Sequence, residues 1–456
     1  MAEDLAEPDD EVLDQDRIDA VLQAVEAEDS AGLEALLEPL HAADIADLLE
    51  QIGGADRRAL LALWSHEIDG DILSEISDAI REEVIEGLSP EVLAEAVRDL
   101  ETDDVVDILE DLDQPQQLLI LGALEDADRF AVEQAMAYPE YSAGRLMQRE
   151  VVVAPEHWTV GEAIDFLRGA DHLPDQFYHV ILVDPRMQPQ AYVTLGRVLS
   201  SPRDVALSTI AEDSFRTVEA TEPEADVAYL FNHYHLISCP VVDEGGRLVG
   251  VITIDDAMNV LDEEHQEDML RLAGVGDESS ISDRVLETTR QRLPWLFVNL
   301  LTAILASMVI SQFEEAITRL VALAVLMPIV ASMGGNAATQ SLTVAVRALA
   351  TRDLTGANVA RVIRRETVVG LLNGVFFAVV MGLVSWVWFG DPTLGLVIAA
   401  AMVINLVVAG MAGILVPVMM ERAGVDPALA SGTFVTTVTD VVGFFVFLGL
   451  AALVLL

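Results

Sequence analysis

The chain has 456 residues, and its charge is divided very unevenly along its length. Residues 1–276 contain 64 Asp and Glu against 15 Arg, a net charge of −49, whereas residues 277–456 contain 12 acids and 10 Arg, a net charge of −2. The first part is an acidic soluble protein and the second part is apolar, which excludes a simple cytosolic enzyme. A field of this sign repels phosphate and excludes a nucleic-acid partner. A hydrophobic fraction of 52% also excludes a fully disordered acidic chain.

All 25 basic residues are arginine, since the sequence contains no lysine. This composition predicts adaptation to a salty cytoplasm, because high ionic strength screens the repulsion within the acidic part. The alternative is that the acids bind cations, and the two explanations are compatible. Cys239 is the single cysteine, so no intrachain disulfide is expected. The N-terminal sequence contains neither a positively charged segment nor an apolar segment after it, so we expect no signal peptide.

Residues 1–140 have the pattern of short amphipathic helices separated by acidic turns. The segment 44–50 (DIADLLE) recurs as 104–110 (DVVDILE), and in both segments the apolar residues share one helix face. A repeated helical unit predicts stacked helix pairs in a superhelix. The alternative is an ordinary helical bundle with solvated acids.

Between residues 141 and 261 the pattern changes to short paired strands with intervening helices. Strand patterns at 178–184 and 191–195 recur at 239–243 and 248–254, and a Gly-Gly turn joins the second pair. This tandem β-α-β-β-α arrangement resembles a pair of cystathionine-β-synthase (CBS) domains. In those domains a Gly-x-x-Thr-x-x-Asp motif can hold a nucleotide, and residues 250–256 (GVITIDD) match it. The resemblance therefore implies that Thr253 and Asp256 are candidates for binding a nucleotide such as ATP.

Five stretches in the second part are apolar and long enough to cross a membrane as helices, which takes about 20 residues each. Arginine is concentrated before the first stretch, between the second and third, and after the fourth. By the positive-inside rule, residues 1–276 are cytoplasmic and Leu456 lies outside. The sequence predicts a five-span α-helical protein of the cell membrane, embedded in the lipid bilayer, with spans at 294–313, 317–346, 367–389, 393–420 and 428–456.

Polar residues inside these spans cost free energy and therefore mark a pathway or a helix contact. In the second span Ser332, Asn336 and Gln340 are spaced four residues apart and share one face. In the fifth span Asp440 is the one acid deep within any span, and that span contains no basic residue. We interpret this face as part of a cation pathway. A twofold axis through it would place two carboxylates at one level.

An oxygen site of this kind suits a small hard cation that keeps its waters, as Mg²⁺ does. The residues alone predict a pathway for a divalent cation, and they do not distinguish magnesium from other divalent cations.

The acidic stretch 262–269 precedes the first span. Its like-charge pairs four residues apart, Glu263 with Glu267 and Glu264 with Asp268, weaken a helix unless cations neutralise them. Their place before the spans predicts a switch, and a solvated charged face is the alternative.

The order of these parts, with Met333-Gly334-Gly335-Asn336 and residues 436–443 (TTVTDVVG), resembles the MgtE family of magnesium channels over nearly the whole chain. The resemblance implies a homodimeric Mg²⁺ channel whose pore follows the twofold axis. The parts would be a helical N domain, a tandem CBS pair, an acidic connecting helix and a pore domain, at residues 1–140, 141–261, 262–292 and 293–456.

The same resemblance implies metal-binding residues. In the pore, Asp440 would bind hydrated Mg²⁺, with Asn336 nearby and Glu314 at the outer mouth. Intracellular Mg²⁺ would close the pore by bridging acids of the N domain, the CBS pair and the connecting helix, here Asp255, Glu263, Glu264, Glu267 and Asp268.

Three functions remain open at this point. The first is a Mg²⁺ channel gated by cytoplasmic Mg²⁺, the second is the same architecture carrying Co²⁺, Mn²⁺ or Ca²⁺, and the third is a membrane-anchored nucleotide sensor without transport. Asp440 argues against the third. The spans contain neither Cys nor His, which disfavours selective binding of transition metals. The sequence shows no nucleophile–base pair and no phosphate-binding loop, so we expect no enzymatic activity.

Overall fold

The computed structural model describes residues 13–98, 100–110, 112–170, 173–174, 177–212, 214–275 and 285–455. The chain divides into two compact units, Met1–Asp262 and Glu263–Leu456.

The first unit begins with a stack of short helices, ten of them within the described part of residues 13–135. Most packing contacts join helices that are two or three positions apart along the chain, as in a superhelical stack. This agrees with the helical pattern of the sequence. The helices are α1 Gln15–Glu26, α2 Ser30–Leu37, α3 Ala42–Gln51, α4 Gly54–Trp64, α5 Gly70–Glu75, α6 Asp78–Gly87, α7 Pro90–Ala96, α8 Thr102–Glu110, α9 Gln114–Ala123 and α10 Asp126–Ala135.

The repeated segment forms α3 and α8, and its apolar residues are buried in both helices. Two buried guanidinium groups secure the ends of neighbouring helices. Arg57 on α4 donates to the carbonyl oxygens of Leu49 and Ile52 at 2.8 and 3.2 Å, where α3 ends. Arg81 on α6 donates in the same way to Ile76 at 3.1 Å, where α5 ends. Each arginine thus satisfies carbonyl groups that a helix end leaves without an intrahelical partner.

The remainder of the first unit contains two three-stranded sheets of identical topology. In each sheet a short strand pairs parallel to a central strand, which pairs antiparallel to the third. Both central strands are buried along their whole length. This is the tandem repeat that the sequence predicts. The elements are α11 Ala143–Leu146, β1 Val153–Pro155, α12 Val160–Gly169, β2 His179–Val183, β3 Pro189–Thr194, α13 Leu195–Ser200, β4 Val218–Glu219, α14 Glu224–Tyr234, β5 Ser238–Val242 and β6 Leu248–Thr253.

Helix α15 runs from Ile254 to Ala273 and includes the boundary between the two units. An acidic connecting helix is expected at residues 262–292, whereas in the structure residues 262–273 belong to α15. Residues 262–273 continue the helix that starts after β6, because no helix-breaking residue interrupts it before Gly274, which has a φ of +70°. Residues 276–284 lie outside the described part, and from Val285 the chain belongs to the next helix.

Within the described residues, the second unit contains five helices that are long and apolar enough to span a membrane, as predicted. Helix α20 is the most buried of the five. In its most apolar 18-residue stretch 56% of the residues are buried, whereas only 6% are buried in the corresponding stretch of α16. Gly370 and Gly374 of α19 face the backbone of α20, where a Cβ atom would lie 2.5 and 3.0 Å from the nearest atoms. The five helices are α16 Val285–Ser311, α18 Ala322–Ala350, α19 Val359–Phe389, α20 Pro392–Arg422 and α21 Pro427–Leu455.

A short helix, α17 (Glu314–Arg319), separates the first two spanning helices. The second span was expected from residue 317, but α18 begins at Ala322. The physical reason is charge: Glu314, Glu315 and Arg319 all lie in α17, and the Arg319 guanidinium pairs with the Glu315 carboxylate. Charged groups of this kind avoid the apolar part of a spanning helix.

Candidate functional site

Asp440 lies in the middle of α21 on a face rich in threonine. Its side chain is half-buried, and it makes no hydrogen bond or ion pair within the described part of the chain. The neighbouring hydroxyl groups donate to their own helix: Thr436 Oγ1 to the Gly432 carbonyl at 3.0 Å and Thr437 Oγ1 to the Thr433 carbonyl at 2.6 Å. A hydroxyl group that donates its proton in this way offers only lone pairs to other groups. The face around Asp440 therefore presents oxygen acceptors, which suit a cation.

Asn336 and Gln340 are exposed on α18, and Asn336 Nδ2 donates to Ser332 Oγ at 3.5 Å. Helices α18 and α21 approach each other near these residues, since a Cβ atom on Gly335 would lie 3.7 Å from Cγ2 of Thr436. Within the described residues no hydrogen bond links Asn336 to Asp440. The structure therefore places the two residues on helices that touch, and their joint role stays a prediction.

Glu314 is exposed at the start of α17. The adjacent Phe313 packs edge to face against Phe445 of α21, with ring centroids 6.0 Å apart. Phe445 follows Asp440 by five residues, a rise of about 7.5 Å along a helix. Glu314 thus lies near α21, beyond Asp440 in the direction of the C-terminal end of that helix.

A second group of acids lies in the first unit, where the start of α8 faces the start of α15. The pKa values of Glu101 and Asp104 are raised to about 7 and that of Asp256 to about 6, and burial is the main cause of each shift. Asp103 is buried, and its pKa is also raised by burial and by repulsion from Asp256. The carboxyl groups of Asp103 and Asp256 lie close enough to affect each other's pKa. Asp255 is exposed and adds to the repulsion on Glu101 and Asp104.

The nucleotide-motif residues of the second sheet are close together. Thr253 Oγ1 donates to Asp256 Oδ2 at 2.6 Å. Thr253 also borders a cavity of about 20 Å³, beside which His179 Nδ1 and Ser238 Oγ lie 2.6 Å apart. Such a volume accommodates about one water molecule. A nucleotide would therefore require the side chains that line this cavity to move.

The acids of α15 that belong to the second unit lie close to an arginine and a further acid. Arg271 donates to Glu267 at 2.7 Å and to Asp426 at 2.9 Å. Burial and then repulsion from Glu267 raise the pKa of Glu264, and burial and then repulsion from Asp426 raise the pKa of Asp268. Glu263 is exposed on the same helix. Repulsion from Asp268 also raises the pKa of Glu264, which agrees with the predicted pair of Glu264 and Asp268.

The end of α15 packs against the start of α21, the helix that carries Asp440. Leu272 belongs to the same apolar cluster as Ala428 and Val435 of α21. Its carbonyl oxygen would lie 3.3 Å from a Cβ atom on Gly432. The helix that carries these acids is therefore in direct contact with the helix that carries Asp440.

Four acids of these two groups are not among the candidates predicted from the sequence: Glu101, Asp103, Asp104 and Asp426. An acid directly before Pro427, in a short connection between two spans, was the available signal for Asp426. For the other three, the sequence offered only the repeated segment, since acids are frequent throughout the first unit. Within the described residues, no group of three or more His, Cys, Asp and Glu side chains is arranged to hold a metal ion as it stands. The donors are carboxylates, the ligand type that Mg²⁺ and Ca²⁺ prefer.

These features define a multi-pass membrane protein with a carboxylate on a polar face of one spanning helix and with an acidic unit that contains tandem CBS-like repeats. Three family models match the chain. The MgtE model, described as a divalent cation transporter, matches residues 327–450. The model of the MgtE intracellular N domain matches residues 40–141, and the CBS domain model matches residues 207–263.

The magnesium transporter MgtE of Bacillus subtilis is 30% identical over 331 residues, which cover 73% of this chain and 73% of that protein. The magnesium transporter MgtE of Thermus thermophilus is 33% identical over 439 residues, which cover 95% and 97%. A crystal structure of the cytosolic domain of the Mg²⁺ channel MgtE in complex with ATP is 29% identical, with a TM-score of 0.49, and the match covers 53% of this chain and 99% of that one. This chain belongs to the MgtE family of magnesium transporters, which confirms the resemblance seen in the sequence.

Proposed function

We propose that this protein is a channel that conducts Mg²⁺ across the cell membrane into the cytoplasm and closes when intracellular Mg²⁺ binds its acids. The observation that carries the proposal is Asp440, a carboxylate in a spanning helix with no partner among the described residues and with threonine hydroxyls that offer acceptors. A carboxylate in such a position is costly unless a cation or water accompanies it.

Hydrated Mg²⁺ is the substrate that fits this face best. Mg²⁺ dehydrates reluctantly, so its bound waters would donate hydrogen bonds to Asp440, to the threonine oxygens and to the carboxamide oxygen of Asn336. Asn336 is exposed and Asp440 is half-exposed on the single chain, which supports a pathway completed by a second copy. A homodimer with a twofold axis would then supply two carboxylates for one divalent ion. Glu314 would attract cations at the outer mouth.

Gating would depend on the acids with raised pKa values. Buried carboxyl groups that repel one another hold protons in place of charge, and a divalent cation can replace those protons. Near α8 the residues that fit Mg²⁺ are Asp103, Asp104, Asp255 and Asp256, and on α15 they are Glu263, Glu264, Glu267 and Asp268 with Asp426 beside them. A cation shifts a closed–open equilibrium only by its differential affinity for the two states, so several ions acting together would give a steep response.

Mg²⁺ flux into liposomes that contain the purified protein would test the pathway. Asp440→Asn, which keeps the side-chain shape and removes the charge, should abolish flux. Glu421→Gln is the matched control, because it makes the same change of charge at an exposed position at the end of α20. Wild-type flux in a well-folded Asp440→Asn protein would overturn the assignment. Parallel assays with Co²⁺, Mn²⁺ and Ca²⁺ would reveal whether another divalent ion is carried in preference to Mg²⁺.

We also propose that the second CBS repeat binds a nucleotide, with ATP as the ligand to test. The support is the hydrogen bond between Thr253 and Asp256, which brings both motif residues together. Binding of ATP to the full-length protein, measured by calorimetry, should be lost in Thr253→Val, whereas Thr194→Val, at the equivalent strand position of the first repeat, should not change it. Equal affinity in both variants would contradict this role.

A further inference from the structure

Asn405 lies on α20, the most buried of the spanning helices, and its side chain is fully buried. Its Nδ2 donates to the backbone carbonyl of Val330 on α18 at 2.9 Å. Its Oδ1 is buried and accepts no hydrogen bond within the described part of the chain. A carboxamide with one unused polar atom inside a membrane domain carries a free-energy cost that a packing role alone does not explain.

Two glycines make room for this carboxamide, one on each neighbouring helix. A Cβ atom on Gly334 of α18 would lie 2.2 Å from Asn405 Nδ2, and a Cβ atom on Gly443 of α21 would lie 2.9 Å from it. Gly334 precedes Asn336 by two residues, and Gly443 follows Asp440 by three. The carboxamide therefore sits between the two helices that carry the candidate pathway residues, within about one helical turn of each.

We propose that Asn405 is a positioning residue for transport: it sets the spacing between α18 and α21 and thereby the position of Asn336 relative to Asp440. The inference rests on the proposed function, because it assumes that ions pass between these residues. A leucine has the same branched shape, with a larger volume, and would leave no unpartnered oxygen. The hydrogen bond to the Val330 carbonyl and the volume of the carboxamide between the two glycines together hold the segment 330–336 at a fixed distance from α20.

The spacing matters because hydrated Mg²⁺ is a rigid octahedral object, whereas Ca²⁺ changes its coordination number and geometry easily. A small shift of α18 against α21 should therefore reduce Mg²⁺ flux more than Ca²⁺ flux. A merely structural defect would lower the amount of active protein and would reduce both fluxes in the same proportion. The ratio of Mg²⁺ to Ca²⁺ flux separates the two explanations.

The first test compares the two adjacent glycines of α18 in the liposome assay. Gly334→Ala would push against the Asn405 carboxamide, and we expect a loss of Mg²⁺ flux of about tenfold, the size of one interhelical polar contact in a membrane. Gly335→Ala is the matched control, since its Cβ atom would meet only Thr436 at an ordinary 3.7 Å. Combining Gly334→Ala with Asn405→Ala should restore part of the lost flux, because the new methyl group then occupies the vacated space.

The second test uses Asn405→Leu, with Ile404→Leu as a neighbouring control on the exposed side of α20. Asn405→Leu should lower the ratio of Mg²⁺ to Ca²⁺ flux, while Ile404→Leu should leave it unchanged. If Asn405→Leu does not yield a monodisperse protein, Asn405→Ala also removes the donor, without adding volume, and gives the same comparison. Proportional loss for both ions, or no recovery in the double variant, overturns the positioning role.

Failure of this inference and failure of the proposed function have different signatures. If Asp440→Asn transports Mg²⁺ like the wild type, the pathway itself is wrong. If Asp440→Asn is inactive while Gly334→Ala and Asn405→Leu match the wild type in flux and in ion preference, the pathway stands and only the role of Asn405 is overturned.

Discussion

Arg271 and Asp426 form an ion pair of 2.9 Å that joins the end of α15 to the start of α21. The same guanidinium also binds Glu267, so one cation serves two carboxylates. Asp268 and Glu264 lie close by, and their pKa values are raised by burial and by these neighbouring charges. These four carboxyl groups and one guanidinium group thus carry an excess of negative charge where α15 contacts α21, the helix of Asp440. A divalent cation would offset that excess.

The acids of α15 should control how Mg²⁺ affects the chain that follows them. With Glu263, Glu264, Glu267 and Asp268 changed together to Gln and Asn, the repulsion is removed, so the contact between α15 and α21 should form without Mg²⁺. Limited proteolysis between residues 274 and 283 should be slowed by Mg²⁺ in the wild type and be slow at all Mg²⁺ concentrations in the variant. Equal protection of both proteins at the same Mg²⁺ concentrations would exclude this helix from the sensor.

The stability of residues 1–276 should fall as the pH rises from about 5 to about 8 when chelator removes divalent ions. The folded-state pKa values of Glu101, Asp104 and Asp256 are about 7, 7 and 6, above their unfolded values near 4, so the folded state binds more protons in this window. We expect a drop in melting temperature of roughly 5 °C, measured by circular dichroism in molar KCl.

Two observations would check the cause of that pH dependence. Asp104→Asn should flatten the profile, whereas Glu34→Gln at an exposed position should not. Mg²⁺ should also flatten it, because the cation replaces the protons that the acids lose. A melting temperature that rises across this pH window would contradict the raised pKa values.

The acidic first part should depend on salt for its folding. Its net charge of −49 creates self-repulsion that high ionic strength screens. Residues 1–276 should be unfolded in dilute buffer and refold in molar KCl, as followed by circular dichroism. Sucrose, which favours compact states without screening charge, should restore the fold much less effectively. An unchanged melting temperature between dilute buffer and molar KCl would remove the inference of a salty cytoplasm.

Arg57 should be far more important for stability than its neighbour Arg58, although both bind Glu83 at 2.7 Å. Arg57 is 4% exposed and also binds two helix-end carbonyls, so Arg57→Gln should cost about 3 kcal/mol of unfolding free energy. The side chain of Arg58 is 66% exposed, and Arg58→Gln should cost less than about 1 kcal/mol. Urea denaturation of residues 1–276 in molar KCl would measure both values, and similar costs would contradict the role of Arg57.

Local patterns were predictable from the sequence, whereas contacts between distant segments were not. Apolar runs of sufficient length identified the five spans, and the repeated strand patterns identified the two sheets. Asp440 was identifiable because a single acid stands out in an apolar span. Asp103 and Asp256 are far apart in the chain and lie among many other acids, so nothing in the sequence indicates that they meet. Asn405 was missed as a candidate for a similar reason, since its proposed role depends on glycines contributed by two other helices.

The buried arginines of the first unit have a consequence for every titration of this protein. A guanidinium group keeps its charge at any pH at which proteins fold, and the sequence contains no lysine to lose a proton at alkaline pH. Between mildly acidic and mildly alkaline conditions, the buried acids with raised pKa values change their charge while the arginines do not. A shift in pH adds or removes negative charge at buried acids while the positive contacts at the helix ends stay fixed. Protons and Mg²⁺ should accordingly act on this protein as competitors for the same oxygen atoms.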